Sequence, residues 1–354
     1  MPDTLSRFLG CLLGGAVGDA LGYPVEFLSE NEIRSEYGEA GICQLAQCGP
    51  SALISDDTQM TLYTANGLMY GLSRRRRAKA EDLLKAYHEW LYTQGDASRM
   101  RDVNHPAMWL TSVPALHSPR APGGTCLSAL SSGWKGGSVE RPINRSKGCG
   151  GVMRVAPIGL MAKTMQDAAC LGGEAAALTH GHPLGYGSAA LFAEIIWRIT
   201  NETDGTHDLS LPILAASERF VDQYPEADEM RKRLADIIPM ALNASVSDLE
   251  GIHRCGEGWV GEEALYIAVF CAVRYQHDFA RALRAAVNHR GDSDSTGAIC
   301  GNLLGAWLGM EAVEAAFDLH QLELRAVTEE IARDLHAFRF GAVDAALRHK
   351  YNPA

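Results

Sequence analysis

Two short segments of the chain, 54–60 and 291–297, combine carboxylic acids with hydroxyl side chains at the start of an apolar helical pattern. Their candidate ligand residues are Ser55, Asp56, Asp57, Asp292, Asp294 and Ser295. Oxygen ligands without nearby histidine or cysteine favour Mg²⁺ or Mn²⁺ over Zn²⁺. A helix N-terminus repels cations through its dipole, so a metal ion there requires surplus negative charge. The four carboxylates would balance two divalent ions and predict a dinuclear site, if the fold brings both segments together.

The same segments have a second interpretation as helix caps. Serine, threonine and aspartate accept hydrogen bonds from the free N–H groups of a first helical turn. A cap is the more common role for a single segment of this kind, but two such clusters in one chain are harder to explain by capping alone. In either case Gly297, Gly301 and Gly305 would let the helix that follows the second segment pack closely against a neighbour.

Two further segments could bind a ligand. Residues 146–159 contain closely spaced glycines, whose backbone N–H groups can turn towards an anion, although a plain turn explains them at least as well. Residues 179–190 contain His180 and His182, and this i, i+2 spacing excludes a zinc-binding pair on one helical face. We expect these histidines to flank a helix, in a structural role or at the edge of a pocket.

The elements that must position these residues are helices, because most apolar residues recur with a period of about 3.6 and no alternating strand pattern is present. The first predicted helix has an apolar face from Leu5 to Ala16 and ends at Gly22 and Pro24. Further helices are predicted at 58–72, 80–94, 152–162, 187–200, 211–224, 229–242, 262–275, 278–289, 298–313 and 322–340.

Polar segments rich in glycine and proline separate these helices, notably at 103–151 and 251–261. Loops of this length inside a compact domain are uncommon unless they have a function. We therefore expect one all-α domain over residues 1–354, with a binding surface built largely by loops.

The composition is that of a globular protein, with 47% hydrophobic and 21% charged residues. A formal net charge of −11 argues against general binding of nucleic acid or of anionic membranes. The run from Arg74 to Arg77 is an exception, which we interpret as a solvated turn.

Nine cysteines without a CxxC pair predict reduced thiols and a cytoplasmic protein. No apolar run approaches about 18 residues, and the N-terminal stretch is interpreted as a folded helix rather than a signal peptide.

Six blocks of the sequence, in order, resemble the successive signatures of the ADP-ribosylglycohydrolase family. They are GCLLGGAVGDALGYPVEF, SDDTQMTLYTANGL, KGCGGVMRVAPIGL, ALTHGHPLGYGSAA, GEGWVGEEALYIAVF and NHRGDSDSTGAICGNLLGA. The resemblance runs from about residue 8 to about residue 310, and the order of the blocks makes it specific. This family includes the dinitrogenase-reductase-activating glycohydrolases and the ADP-ribosylarginine hydrolases.

The resemblance implies a compact orthogonal bundle of α-helices with a dinuclear Mg²⁺ or Mn²⁺ centre. The implied ligands, carried over residue by residue, are Ser55, Asp56 and Asp57 for one ion, Asp292 and Ser295 for the other, and Asp294 as the bridge. Glu26 would act as a general base or orient the attacking water. Asp57 and Asp292 would contribute to catalysis as metal ligands, not as acid or base.

The resemblance also implies where the substrate binds. The residues expected to cradle the diphosphate are Gly148, Cys149, Gly150, Gly151, Val152 and Met153. The segment from His180 to Tyr186 would border the adenosine or its ribose. Many relatives have asparagine where Cys149 stands, so a side-chain hydrogen bond to the ligand would be missing here. The segment after Trp90 matches the family poorly, which leaves the part played by Asp96 open.

The implied activity is hydrolysis of the N-glycosidic bond between ADP-ribose and a modified arginine, so the expected partners are ADP-ribose and an ADP-ribosylated protein. The glycine-tryptophan loop at 256–261 resembles the arginine-directed branch of the family more than the serine-directed branch. Alternative substrates are serine-linked ADP-ribose, free ADP-ribose derivatives and modified nucleic-acid ends. A further alternative is an immunity protein that neutralises an ADP-ribosylating toxin by reversal or by occlusion. Occlusion is less favoured, because only a few residues precede the first family block.

Overall fold

A computed structural model describes residues 2–95, 107–133, 135–202, 207–220, 224 and 226–353. These residues form seventeen α-helices and six short 3-10 helices, with no β-strand among them. The α-helices are α1 Thr4–Gly22, α2 Glu30–Tyr37, α3 Asp56–Ser73, α4 Ala80–Thr93, α5 Gly124–Ser131, α6 Ala156–Met161, α7 Met165–Ala177, α8 Pro183–Asn201, α9 Ser210–Phe220, α10 Ala227–Leu242, α11 Asp248–Cys255, α12 Gly261–Arg274, α13 Phe279–Val287, α14 Ser293–Leu308, α15 Met310–Ala316, α16 Arg325–Phe340 and α17 Ala345–Tyr351. The 3-10 helices are Tyr23–Val25, Leu45–Cys48, Trp109–Ser112, Pro114–Leu116, Cys149–Gly151 and Leu319–Gln321. The all-α fold predicted from the sequence is confirmed.

Helices α1 and α14 form an antiparallel pair at the centre of the fold. Glycines recur every four residues on the facing sides, at Gly10, Gly14, Gly18 and Gly22 of α1 and at Gly297, Gly301 and Gly305 of α14. A Cβ atom added to Gly18 would lie 2.0 Å from the carbonyl oxygen of Gly297, and one added to Gly301 would lie 2.0 Å from that of Gly14. The two backbones are therefore in direct contact, which confirms the close packing expected of the α14 glycines.

This glycine contact brings together residues that are distant in the sequence. A Cβ added to Gly22, the last residue of α1, would lie 2.2 Å from the carbonyl oxygen of Ser293, the first residue of α14. The chain then turns through Tyr23–Val25 and reaches Glu26. Helix α3 also packs against α1 and begins at Asp56. Glu26 and the N-termini of α3 and α14 consequently lie near the same end of α1.

The remaining helices surround this pair with one continuous hydrophobic cluster. By length and composition Thr4–Val25 is long and apolar enough to cross a membrane, but 89% of its most apolar window is buried inside the protein. Packing against the other helices therefore accounts for its apolar character. All nine cysteines are free, as expected for reduced thiols.

The structure corrects four details of the sequence-based prediction. The helix predicted at 298–313 is two helices, because Gly309 adopts a φ of +82° and ends α14. The segment 251–261 is a loop only after Cys255, since α11 occupies its first residues and begins with Ser247 as its N-cap. The segment 103–151 contains α5 and three 3-10 helices. Helices α2, α7 and α17 were also not predicted, and two of them are fewer than ten residues long.

Candidate metal centre

The two acidic segments lie at the N-termini of α3 and α14 and cap these helices. The Ser55 hydroxyl accepts a hydrogen bond from the N–H of Asp57 at 3.2 Å. Oδ1 of Asp292 accepts one from the N–H of Ser295 at 3.3 Å, and Oδ1 of Asp294 accepts one from the same N–H at 2.9 Å. The capping interpretation is therefore confirmed at both helix starts. Capping leaves Oδ2 of Asp292 without a hydrogen-bond partner, so it does not account for every acidic oxygen.

The acids of the two segments also meet in space, together with Glu26. One carboxylate oxygen from each of Glu26, Asp292 and Asp294 lies within 4.8 Å of the other two. Asp57 is close enough for the charge of Asp294 to raise its pKa further, after the larger effect of burial. The structure thus brings the predicted general base into the same cluster as the predicted metal ligands.

Burial raises the pKa of every acid in this cluster, and repulsion between the carboxylates adds to the effect. The pKa of Glu26 rises to about 9 because of burial and, to a smaller extent, the charges of Asp294 and Asp56. The carboxyl groups whose pKa is raised chiefly by burial also include Asp56, Asp57, Asp292 and Asp294.

Among the described residues no lysine or arginine forms an ion pair with these acids, unlike Glu323, which pairs with Arg120 at 2.8 Å. The cluster therefore requires bound protons or cations to offset its charge.

The oxygen atoms in the cluster suit a hard divalent cation. The buried carboxylate oxygens without a hydrogen-bond partner include Oε2 of Glu26, Oδ1 of Asp57 and Oδ2 of Asp292. Buried polar atoms without a protein partner are rare in folded proteins and generally contact a water molecule or an ion. With the hydroxyl of Ser55, they offer a set of oxygen donors that matches the preference of Mg²⁺ and Mn²⁺. The residues present therefore fit such an ion.

Asp19 positions the first acidic segment and was missed from the sequence. Its carboxylate lies inside α1 with no solvent exposure and accepts hydrogen bonds from the N–H of Ser55 at 2.9 Å and the N–H of Thr58 at 3.0 Å. The Thr58 hydroxyl donates a third hydrogen bond at 2.5 Å. Burial, followed by the charge of Asp294, raises the pKa of Asp19 to about 7. The available signal was a single acid in the apolar stretch GGAVGDALG.

The other side of the first segment is held by the chain around residue 120. The N–H of Asp56 donates to the carbonyl oxygen of Arg120 at 2.9 Å. Oδ2 of Asp56 accepts a hydrogen bond from the N–H of Gly123 at 3.1 Å. Two backbone contacts from one loop therefore fix Asp56, and part of the predicted binding segment 103–151 does border the cluster.

The two glycine-rich loops of the sequence lie side by side and contact the second acidic segment. Gly148 and Val260 form an antiparallel bridge, and the N–H of Cys149 donates to the carbonyl oxygen of Trp259 at 3.3 Å. The N–H of Asp292 donates to the carbonyl oxygen of Glu257 at 2.9 Å. The segments 146–151 and 256–261 thus form one wall beside Asp292.

The sequence model of the ADP-ribosylglycohydrolase family matches residues 1–342 of this chain. The chain belongs to the ADP-ribosylglycohydrolase family. It is therefore a hydrolase of the ADP-ribosylglycohydrolase type, as the six sequence blocks indicated.

Several ADP-ribosylglycohydrolase relatives align with nearly the whole chain. The human protein named ADP-ribosylhydrolase ARH3 is 25% identical over 362 residues, covering 94% of this chain and 93% of its own. The ADP-ribosyl-[dinitrogen reductase] glycohydrolase of Rhodospirillum rubrum is 26% identical over 348 residues, covering 95% of this chain and 96% of its own. A solved structure described as an ADP-ribosylglycohydrolase-related protein complex has a TM-score of 0.67 and 24% identity, covering 96% of this chain and 100% of that chain. The structural likeness supports the same fold.

The substrate-binding residues expected of an ADP-ribosylglycohydrolase fall into an outer and an inner group. Gly148 and Cys149 are partly exposed as whole residues and lie beside the acidic cluster. The thiol of Cys149 is nevertheless desolvated, and this burial, followed by the charges of Asp292 and Asp57, raises its pKa. The inner group is buried and comprises Gly150, Gly151, Val152, Met153, His180 and Tyr186. A role of these residues in substrate binding stays a prediction, and Asp96 lies outside the described residues.

The imidazole of His180 packs against the glycine turn at 148–151. A Cβ added to Gly150 would lie 2.9 Å from Sγ of Cys126 and 3.0 Å from Cε1 of His180, so a larger residue there would displace one of these side chains. Nδ1 of His180 shares a hydrogen bond of 2.8 Å with the Thr179 hydroxyl, and burial lowers the pKa of His180 to about 3. The imidazole is consequently neutral at physiological pH, and its hydrogen bond with Thr179 and its close approach to Gly150 are those of a structural histidine.

Proposed function

We propose that this protein releases ADP-ribose from modified arginine side chains, with two Mg²⁺ or Mn²⁺ ions in the acidic cluster. The observation that carries the proposal is the meeting of Glu26, Asp292 and Asp294 within 4.8 Å in a member of the ADP-ribosylglycohydrolase family. The bond cleaved would join the anomeric carbon of the distal ribose to a guanidinium nitrogen. Water would add to that carbon, and the arginine side chain would leave with a proton.

The residues that would hold the ions come from both helix starts. Ser55, Asp56 and Asp57 would bind one ion, Asp292 and Ser295 the other, and Asp294 would bind both. Bound divalent ions supply positive charge that polarises substrate oxygens and lowers the pKa of a coordinated water. Four aspartates against two such ions leave no net charge, which removes the repulsion that raises the pKa of each acid in their absence.

Glu26 is the residue we propose to handle the proton. Burial and neighbouring carboxylates raise its pKa to about 9 in the metal-free site, so it would be protonated there at neutral pH. Cations held by the aspartates would remove the part of this increase that comes from Asp294 and Asp56, which would make the Glu26 carboxylate more available as a base. Its unpartnered Oε2 would then accept a proton from water and later pass one to the departing guanidine.

The scaffold around these groups would orient the substrate. Cleavage at an anomeric carbon proceeds through a transition state that resembles an oxocarbenium ion, which nearby carboxylates stabilise. Asp19 holds the N–H groups of Ser55 and Thr58 on either side of the two aspartates, and the N–H of Gly123 holds the Asp56 carboxylate. Three of the four residues in the turn 148–151 are glycines and only Cys149 carries a side chain, which would allow a diphosphate to approach the backbone closely.

The test compares ADP-ribose release from an arginine-modified and a serine-modified protein, each with added Mg²⁺ or Mn²⁺. We expect release from the arginine-linked substrate and its loss, by at least a hundredfold, in Asp294→Ala. Asp278→Ala is the matched control, because Asp278 caps α13 through the N–H of Arg281 at 3.0 Å but is not in the cluster. Release from serine alone would contradict the arginine assignment, and full activity in Asp294→Ala would contradict the proposed centre.

A further inference from the structure

Two large aromatic side chains are exposed next to the acidic cluster. Phe27 is 75% exposed and Trp259 is 39% exposed. Their rings stack nearly in parallel, with an interplanar angle of 18° and centroids 5.7 Å apart. Single exposed apolar residues are common, but a stacked aromatic pair that faces solvent forms a contiguous apolar surface of the kind found at binding sites.

The backbone places this pair at the edge of the cluster. Phe27 directly follows Glu26, whose carboxylate is part of the cluster. The carbonyl oxygen of Trp259 accepts a hydrogen bond from the N–H of Cys149. The preceding residue, Gly258, lies close to Asp292, since a Cβ added to Gly258 would be 3.2 Å from the Asp292 Cβ. The pair therefore connects the Glu26 side of the cluster with the wall formed by the two loops.

We propose that the Phe27–Trp259 pair recognises the acceptor side chain by stacking against the guanidinium of the modified arginine. This inference rests on the arginine-directed activity proposed above and adds a specificity surface to it. A guanidinium is planar, cationic and weakly hydrated, and it stacks favourably on the electron-rich face of tryptophan or phenylalanine. Serine offers neither a charge nor a plane to such a surface.

The charges nearby are complementary to a cationic acceptor. Lys147 and Arg290, which belong to the segments beside the pair, form ion pairs with Glu262 and with Glu257 respectively. Their positive charge is therefore compensated, and the Glu26 carboxylate, directly before Phe27, is the acid left uncompensated once the four aspartates hold two ions. Neutral or anionic acceptors gain nothing from this arrangement.

The test measures kcat and KM of Trp259→Ala and Phe27→Ala on arginine-linked and serine-linked substrates, together with the Kd of ADP-ribose. For the arginine-linked substrate we expect kcat/KM to fall about 5- to 30-fold, mostly through KM, which corresponds to the loss of one cation–π contact. Trp259→Phe should retain most of the activity, because it keeps an aromatic face. The Kd of ADP-ribose should stay within about twofold of wild type, since the pair contacts the acceptor.

The matched control is Phe340→Ala, because Phe340 is 50% exposed and packs on Phe8 near the opposite end of α1. Unchanged kcat/KM in Trp259→Ala, or an equal loss on both substrates with weaker ADP-ribose binding, would overturn the acceptor role. Failure of the wild-type protein to act on arginine-linked ADP-ribose would instead overturn the proposed function. The two failures are therefore distinguishable.

Discussion

The glycine contact between α1 and α14 makes a prediction that can be worked out from distances. In Gly301→Ala the new Cβ would lie 2.0 Å from the carbonyl oxygen of Gly14 and 2.5 Å from its carbonyl carbon. An ordinary contact requires at least 3.4 Å, so the two helices must separate by about 1.4 Å at this point. No flexible side chain lies between them to absorb the change.

The energetic cost follows from two opposing effects. Overpacking of a rigid contact costs about 3 kcal/mol at the upper end of its usual range. Alanine has a higher helix propensity than glycine and recovers about 1 kcal/mol in the interior of a helix. We therefore expect Gly301→Ala to lower the free energy of unfolding by about 2 kcal/mol. A displacement of about 1 Å near a catalytic centre can lower the rate about a hundredfold, and we expect a loss of that order here.

The assay combines urea unfolding with kinetics of ADP-ribose release. Gly187→Ala provides the control, since Gly187 is also inside a helix but its added Cβ would meet no atom closer than 3.8 Å. That variant should be as stable as wild type or slightly more stable. Wild-type stability and activity in Gly301→Ala would refute the argument that direct backbone contact aligns the two helix starts.

Two further predictions concern the cluster itself. Asp19→Asn should keep the fold but raise the Mg²⁺ or Mn²⁺ concentration needed for half-maximal activity at least tenfold. The reason is that an amide cannot accept all three hydrogen bonds from Ser55 and Thr58. A titration of activity with metal measures this midpoint, and an unchanged midpoint would count against the prediction. In the metal-free protein, Glu26 and Asp19 have pKa values of about 9 and about 7, above those of the unfolded chain, so the folded state binds more protons. The stability of the metal-free protein should therefore fall as pH rises from about 4 to about 9, and added Mg²⁺ should raise Tm most at the alkaline end of this range. Thermal unfolding with and without a chelator measures both effects. A Tm of the metal-free protein that rises with pH would contradict the prediction.

Much of this architecture could be predicted because it is encoded locally. Cap residues before an apolar run mark the beginnings of α3 and α14, and the spacing of Gly297, Gly301 and Gly305 indicates close helix packing. The carboxylic acids and hydroxyls of both segments predict oxygen ligands for a metal ion from the sequence alone. Glu26 was recognised through the family resemblance, but its place inside the cluster appears only in the structure.

The features that could not be predicted depend on contacts between distant parts of the chain. Asp19 is a single acid within an apolar helix, and nothing in its neighbourhood indicates that it binds the backbone of Ser55. Phe27 and Trp259 are separated by most of the sequence, so no local pattern relates them. The break at Gly309 depends on a left-handed backbone conformation, which the apolar pattern around it conceals.

The central claim is that acids from both helix starts form one metal-dependent site for ADP-ribose release. It is tested most directly by following release from an arginine-modified protein with enzyme stripped by a chelator and then supplied with Mg²⁺ or Mn²⁺. The account predicts no release above background by the stripped protein and recovery of activity as two ions per chain are bound. Undiminished release by the stripped protein would contradict it.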